Sequence, residues 1–256
     1  MTEPTMAEDL ALLATSLRRH LERRQQAGIQ FLSHDDTPKK ITPTNSQTNI
    51  MSGTEVDLFN DSKAAHDAGN LDELRAAIGD CRRCKLWSGR THLVFGIGNP
   101  EARLMFIGEG PGRDEDLQGE PFVGRAGQLL TDIITKGMGL KREDVYIANV
   151  VKCRPPENRN PEPDEVSSCE PFLKKQIDLV RPEIIVALGK FAVQTLLQSK
   201  FPITRLRGNW HTYHGIKLMP TFHPAYLLRN PADKKLVWED IKKVIKEMRG
   251  ENSESV

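Results

Sequence analysis

The sequence predicts an α/β fold: a three-layer α/β/α arrangement with a short, mainly parallel central sheet, preceded by an N-terminal helix and a linker. Two patterns carry this expectation. Short, nearly continuous apolar runs such as Ile184-Ile185-Val186-Ala187-Leu188 alternate with stretches of helical periodicity, as strands buried on both faces require. A second run, Leu104-Met105-Phe106-Ile107, passes through Gly108-Glu109-Gly110-Pro111-Gly112 toward helix-like sequence at Leu129-Leu130. In parallel sheets ligands bind beyond the carboxyl ends of the strands, where such a loop lies.

Taken in order, residues 1–32 are expected to hold an amphipathic helix, because Leu10, Leu13, Leu17 and Leu21 fall at helical spacing with arginines between them. Residues 33–70 are rich in Asp, Thr, Pro, Ser, Asn and Lys, cannot bury enough apolar surface to fold alone, and read as a flexible linker. The main domain is expected over 71–249, with strands at 103–108, 144–150, 183–188 and 216–221. Its helices are expected at 71–79, 126–137, 163–180, 190–198 and 234–248, with a disordered tail at 250–256. The loops at 108–124, 149–161 and 222–230 would then converge at one end of the sheet.

A length of 256 residues suits one α/β domain with an appendage. No apolar run approaches the roughly 20 residues of a membrane span, and Met1-Thr2-Glu3-Pro4 lacks the features of a secretion signal, so a cytoplasmic monomer without a membrane partner is expected. Residues 1–70 hold 7 Lys/Arg against 10 Asp/Glu, leaving the remainder mildly basic at 29 against 25, which permits phosphate contacts. Four cysteines, Cys81, Cys84, Cys153 and Cys169, are separated by 2, 68 and 15 residues. In a cytoplasmic chain this pattern reads as a metal framework, with inert buried thiols as the alternative.

Several blocks carry a family resemblance: Cys81-Arg82-Arg83-Cys84-Lys85-Leu86; Gly108 to Leu130; Tyr146-Ile147-Ala148-Asn149-Val150-Val151-Lys152-Cys153-Arg154-Pro155-Pro156; Ser168-Cys169-Glu170-Pro171-Phe172-Leu173; and His223-Pro224-Ala225-Tyr226-Leu227-Leu228-Arg229. Together and in this order they resemble the iron–sulfur (family 4, type A) uracil-DNA glycosylases, over roughly residues 72–248. The resemblance implies that the four cysteines hold a four-iron four-sulfur cluster of structural role; the wide second pair speaks against zinc, the alternative. The cluster would fix Arg154, Asn158 and Arg159 near the DNA path. The partner implied is uracil-containing DNA, single or double stranded.

Such an enzyme must extrude the nucleotide from the helix before acting on it. By its place in the motif Leu227 would fill the gap left behind, with Pro224 beside it and Arg125, Arg159 and Arg229 on the DNA; ordinary helix core is the other reading of Leu227 and Leu228. The Asn149 amide matches uracil's edge, donating to O4 and accepting from N3–H, whereas cytosine presents the reverse pattern and leaves both groups unpaired. Phe122 would stack on the base, Gly110 and Pro111 would shape the pocket, and Glu115 would crowd a thymine methyl group. His223, with backbone N–H groups around Gly110, would stabilise the charge developing on uracil O2.

Better-known members of this superfamily carry an aspartate where Gly110 stands, so Glu109 and then Asp116 are the candidates for orienting water; Glu109 as a mere loop brace is the competing reading. No lysine occupies an obvious nucleophile position, so base removal without strand cleavage is expected. Two alternatives compete. A non-turnover uracil-DNA binder of the same superfamily would carry an inserted basic loop where Cys153 to Asn160 runs straight on, and a metal-stabilised nucleotide or phosphate hydrolase would end its glycine loop in Gly-Lys-Ser/Thr. Finally, Glu55-Val56-Asp57-Leu58-Phe59 resembles the peptides that bacterial repair proteins insert into the replication sliding clamp, with Glu where Gln is usual; a stray apolar patch is its plainer reading.

Overall fold

Six strands form one sheet in the computed structural model, which describes residues 65–251. The helix and most of the linker expected before residue 65, the 55–59 peptide, and all but the start of the tail lie outside the described residues. The strands are β1 (Ile97–Gly98), β2 (Leu104–Gly108), β3 (Tyr146–Asn149), β4 (Ile184–Leu188), β5 (His211–Tyr213) and β6 (Ile216–Thr221). Their order is β1-β3-β2-β4-β6-β5; the inner four are parallel and the two edges antiparallel. The helices are α1 (Leu71–Ile78), α2 (Arg113–Gln118), α3 (Arg125–Asp132), α4 (Pro163–Val180), α5 (Gly189–Leu196), α6 (Ile203–Leu206), α7 (Pro224–Arg229) and α8 (Lys234–Met248). None of them is long and apolar enough to cross a membrane.

Alternate side chains of a strand point to opposite faces, and here each face has its own core. Met105, Ile107, Ile185 and Ala187 pack with Leu173 and Ile177 of α4 and Ala192 and Val193 of α5. Leu104, Phe106, Ile184 and Val186 pack with Leu130 of α3 and Val237, Ile241 and Val244 of α8. These are the three expected layers, and β2 and β4 are buried along their whole length because both faces are covered.

Local chemistry explains the element ends. Asn70 caps α1 by accepting the Glu73 N–H at 2.9 Å, while Pro163 at the first turn of α4 needs no hydrogen-bond acceptor there. Two boundaries differ from expectation by more than two residues. Ala65 and Ala68 are buried with Leu74, Ile78, Phe95 and Phe172, so the linker ends before residue 65 and not at 70, its small apolar residues serving as core. The helix expected over 126–137 is α-helical only to Asp132 and continues as a π turn over Ile133–Gly137. Strands β1 and β5, at two and three residues, are too short to show periodicity.

Chain order and sheet order set the site. β2 lies between β3 and β4, so the connection from β2 runs to one side and the connection from β3 crosses back to the other. At such a switch point the loops leave a crevice over the carboxyl ends of the strands.

Candidate active site

The crevice holds a cavity of about 440 Å³ whose lining includes Glu109, Gly110, Pro111, Glu115, Phe122, Asn149, Asn158, Arg159, His223, Tyr226 and Arg229. The three residues expected to surround a base, Phe122, Asn149 and His223, therefore share one hollow. Gly108, the last residue of β2, is what lets two of them approach: a Cβ there would stand 2.5 Å from Asn149 Oδ1 and 2.6 Å from Phe122 Cζ.

Phe122 is held in a backbone conformation that side chains rarely adopt, φ 55°. Surrounding groups over-determine it. The Arg142 guanidinium donates to the Pro121 carbonyl at 2.8 Å and the Phe122 carbonyl at 3.0 Å, and also to Thr131 Oγ1 at 3.0 Å. Gly127 allows the Phe122 backbone to pass where a Cβ would lie 1.9 Å from its carbonyl. Glu115 lines the cavity, but its carboxylate accepts N–H groups from Gly112 at 3.1 Å and from Val123 and Gly124 at 3.0 Å each. It thus clamps the loop that presents Phe122 while also facing the cavity.

Asn149 ends β3 almost wholly buried, and its Oδ1 has no hydrogen-bond partner. A buried acceptor left unpaired is costly, so this oxygen is prepared for a donor that the chain itself does not supply. His223 is the N-cap of α7 and accepts the Ala225 N–H on Nδ1 at 3.1 Å. With Nδ1 accepting, the ring's proton sits on Nε2, available as a donor. Burial, aided by the charge of Arg229, pushes the His223 pKa down to about 4, so the ring is neutral at physiological pH. It lies 5.5 Å from the Phe122 ring, centroid to centroid. Glu109, following Gly108, is part-buried, and that burial raises its carboxyl above the usual range.

Asp116 is not at this site. It is buried, accepts the Thr91 N–H at 2.8 Å, and fixes the 90–92 segment instead, because the α2 turn points it away from the cavity. Leu227 is corrected as well: it is 1 % exposed and packs in the core that contains Leu130 and Val237, with Pro224 buried one turn earlier. Its neighbour Leu228 is 41 % exposed and lines an adjoining hollow of about 430 Å³ with Arg113, Arg125, Asn158 and Arg229. A helix rotates about 100° per residue, so only one of two adjacent leucines can face the groove. Arg159 lines the cavity but is held by Glu165 in a bidentate pair at 2.9 and 2.6 Å. Tyr226 and Arg142 escaped the sequence reading, since neither lies in a pattern that reveals its tertiary neighbours.

Cys81, Cys84, Cys153 and Cys169 are free thiols. Each of Cys84, Cys153 and Cys169 is pushed up in pKa by burial and further by the charge of Cys81, so all four share one electrostatic neighbourhood. Donors face the sulfurs: Arg83 reaches Cys81 Sγ at 3.3 Å, Arg90 reaches Cys153 Sγ at 3.2 Å, and the Lys152 N–H reaches Cys169 Sγ at 3.3 Å. Among the described residues no group of three His, Cys, Asp or Glu side chains is gathered around a position for a metal ion.

The family model described as the uracil DNA glycosylase superfamily matches residues 95–242. A type-4 uracil-DNA glycosylase of Saccharolobus solfataricus is 46 % identical over 183 residues, covering 68 % of this chain and 85 % of the relative. One from Thermotoga maritima is 50 % identical over 169 residues, covering 64 % and 86 %, and one from Archaeoglobus fulgidus is 44 % identical over 183, covering 68 % and 92 %. The matched span contains the whole sheet, the glycine loop and the His223 turn. With this architecture and these relatives, the chain belongs to the uracil-DNA glycosylase superfamily and, within it, to the type-4 family.

Proposed function

We propose that this chain is a monofunctional DNA repair glycosylase that extrudes uracil from DNA and hydrolyses its N-glycosidic bond. The observation that carries the reading is the unpaired, buried Oδ1 of Asn149 beside Phe122 and His223 in a single cavity. Uracil's N3–H supplies the missing donor and the Phe122 ring supplies a stacking face. As the C1′–N1 bond breaks, its electron pair leaves with uracil, and the neutral His223 donates from Nε2 to the charge growing on O2. Water delivers its hydroxyl to C1′, leaving an abasic sugar; its proton goes to the departing base or to solvent. Glu109, which lines the cavity with no hydrogen-bond partner among the described residues to occupy its carboxylate, orients that water or balances the positive sugar.

Leu228 takes the wedge role on the groove, and Arg113, Arg125 and Arg229 around it meet phosphates. The four cysteines are assigned to a 4Fe-4S cluster: their shared neighbourhood, the absence of a disulfide among them and the N–H groups directed at sulfur suit a thiolate-bound group. When bound, it supplies a cross-link between the segment before β1, the 153 loop and α4, and no step of base removal.

The test uses purified protein and matched oligonucleotides bearing U, T or hypoxanthine, single and double stranded. Release of free uracil with alkali-sensitive sites at U is the expected result. Tight binding of uracil DNA without release would establish the non-turnover binder instead.

A further inference from the structure

Resting on the glycosylase reading, we propose that Lys152 is a positioning residue for uracil discrimination, holding the Asn149 peptide so that its amide cannot turn to accept cytosine. Lys152 is among the largest fully buried side chains, and the chemistry above makes no use of it. Its ammonium donates to the Asn149 carbonyl oxygen at 2.8 Å and to Gln176 Oε1 of α4. Gln176 is itself aimed, its Nε2 donating to the Phe95 carbonyl at 2.9 Å and to the Tyr146 hydroxyl at 3.1 Å. The main chain of residue 152 is anchored too, with its N–H on Cys169 Sγ at 3.3 Å and its carbonyl accepting the Val94 N–H at 2.8 Å.

The sheet holds Asn149 from one side only, where the Val150 N–H donates to the Gly108 carbonyl at 2.9 Å. β1 pairs with β3 only at Ile97–Ile147 and Gly98–Tyr146, stopping two residues short of it. On the other side Asn149 is registered with Gly108, which has no side chain to brace it. Lys152 supplies the donor that the short edge strand does not. Discrimination by an amide depends on this rigidity, since an asparagine free to shift relieves the unpaired groups through which cytosine is rejected. A lysine suits the task because it reaches two acceptors on different elements from one buried atom.

The experiment compares Lys152→Met with the wild-type chain for binding of two otherwise identical single-stranded oligonucleotides, one carrying non-hydrolysable 2′-fluoro-2′-deoxyuridine and one cytosine, with the visible absorbance and uracil excision recorded on each sample. The expected result is a fall of about tenfold or more in the uracil-over-cytosine binding ratio, matched in kcat/KM, with cytosine-strand affinity and absorbance unchanged. An unchanged ratio, or equal weakening toward both strands, overturns the proposal. Should Lys152→Met not fold, Gln176→Met, which frees the ammonium from α4, takes its place: a lowered ratio supports the proposal and an unchanged one overturns it. A wild-type chain that releases no uracil would instead remove the glycosylase reading itself.

Discussion

Single atoms decide the chemistry here. The unpaired Oδ1 of Asn149 implies that Asn149→Ala lowers kcat/KM on uracil DNA by about 5- to 150-fold, from a buried hydrogen bond of about 1–3 kcal/mol, while affinity for undamaged DNA stays constant. Glu109 gives a pH prediction with a definite sign. Burial raises its carboxyl, and with the ionised form as the proposed working one, activity falls on acidification through a midpoint above the ordinary glutamate value. His223, neutral down to about 4, does not set that midpoint. Glu109→Gln is expected to lose about 100-fold or more in kcat and to lose the acid limb as well, which a pH–rate series on both proteins would show. Glu115 and Asp116 illustrate how far residue type alone reaches. A carboxylate in a glycine loop is visible in the sequence, but whether it meets ligand or backbone depends on which way a six-residue helix turns.

Among the elements, the α7 turn offers the sharpest contrast. Leu227→Ala empties a core position and is expected to cost about 2–5 kcal/mol in denaturant unfolding, whereas Leu228→Ala leaves stability unchanged and slows excision from duplex more than from single strands. If Leu228→Ala left the duplex to single-strand ratio untouched, the wedge assignment would fail. The long elements were legible: α4 and α8 begin and end where periodicity placed them, and four of the six strands sit within two residues of their expected ends. Short pieces were not. The edge strands β1 and β5 and the helices α2, α6 and α7 span six residues or fewer, too little for a repeating pattern. For the same reason the hollow around Phe122, Asn149 and His223 could be anticipated from motif order, while the backing by Arg142, which lies between the glycine loop and β3, could not.

For the molecule as a whole, the proposed cluster adds a cross-link to parts already joined by Lys85 to Glu162 and Asp164 and by the Val94 N–H on the Lys152 carbonyl. Cys169→Ser is expected to abolish visible absorbance and to lower the thermal midpoint, with loss of activity following unfolding rather than preceding it; scanning calorimetry beside excision assays at several temperatures separates the two. Full absorbance in that variant would remove Cys169 from the ligand set. The bare backbone at Gly108 has a broader meaning for the assembly. Because one missing methyl spaces the aromatic wall from the amide wall, the width of the crevice is set at the carboxyl end of a central strand, while Asn158 and Arg229 border both the crevice and the arginine-lined hollow outside it. A strand lying in the outer hollow would therefore touch the same two side chains that border the base chamber, so engagement outside and admission inside share a common hinge of residues.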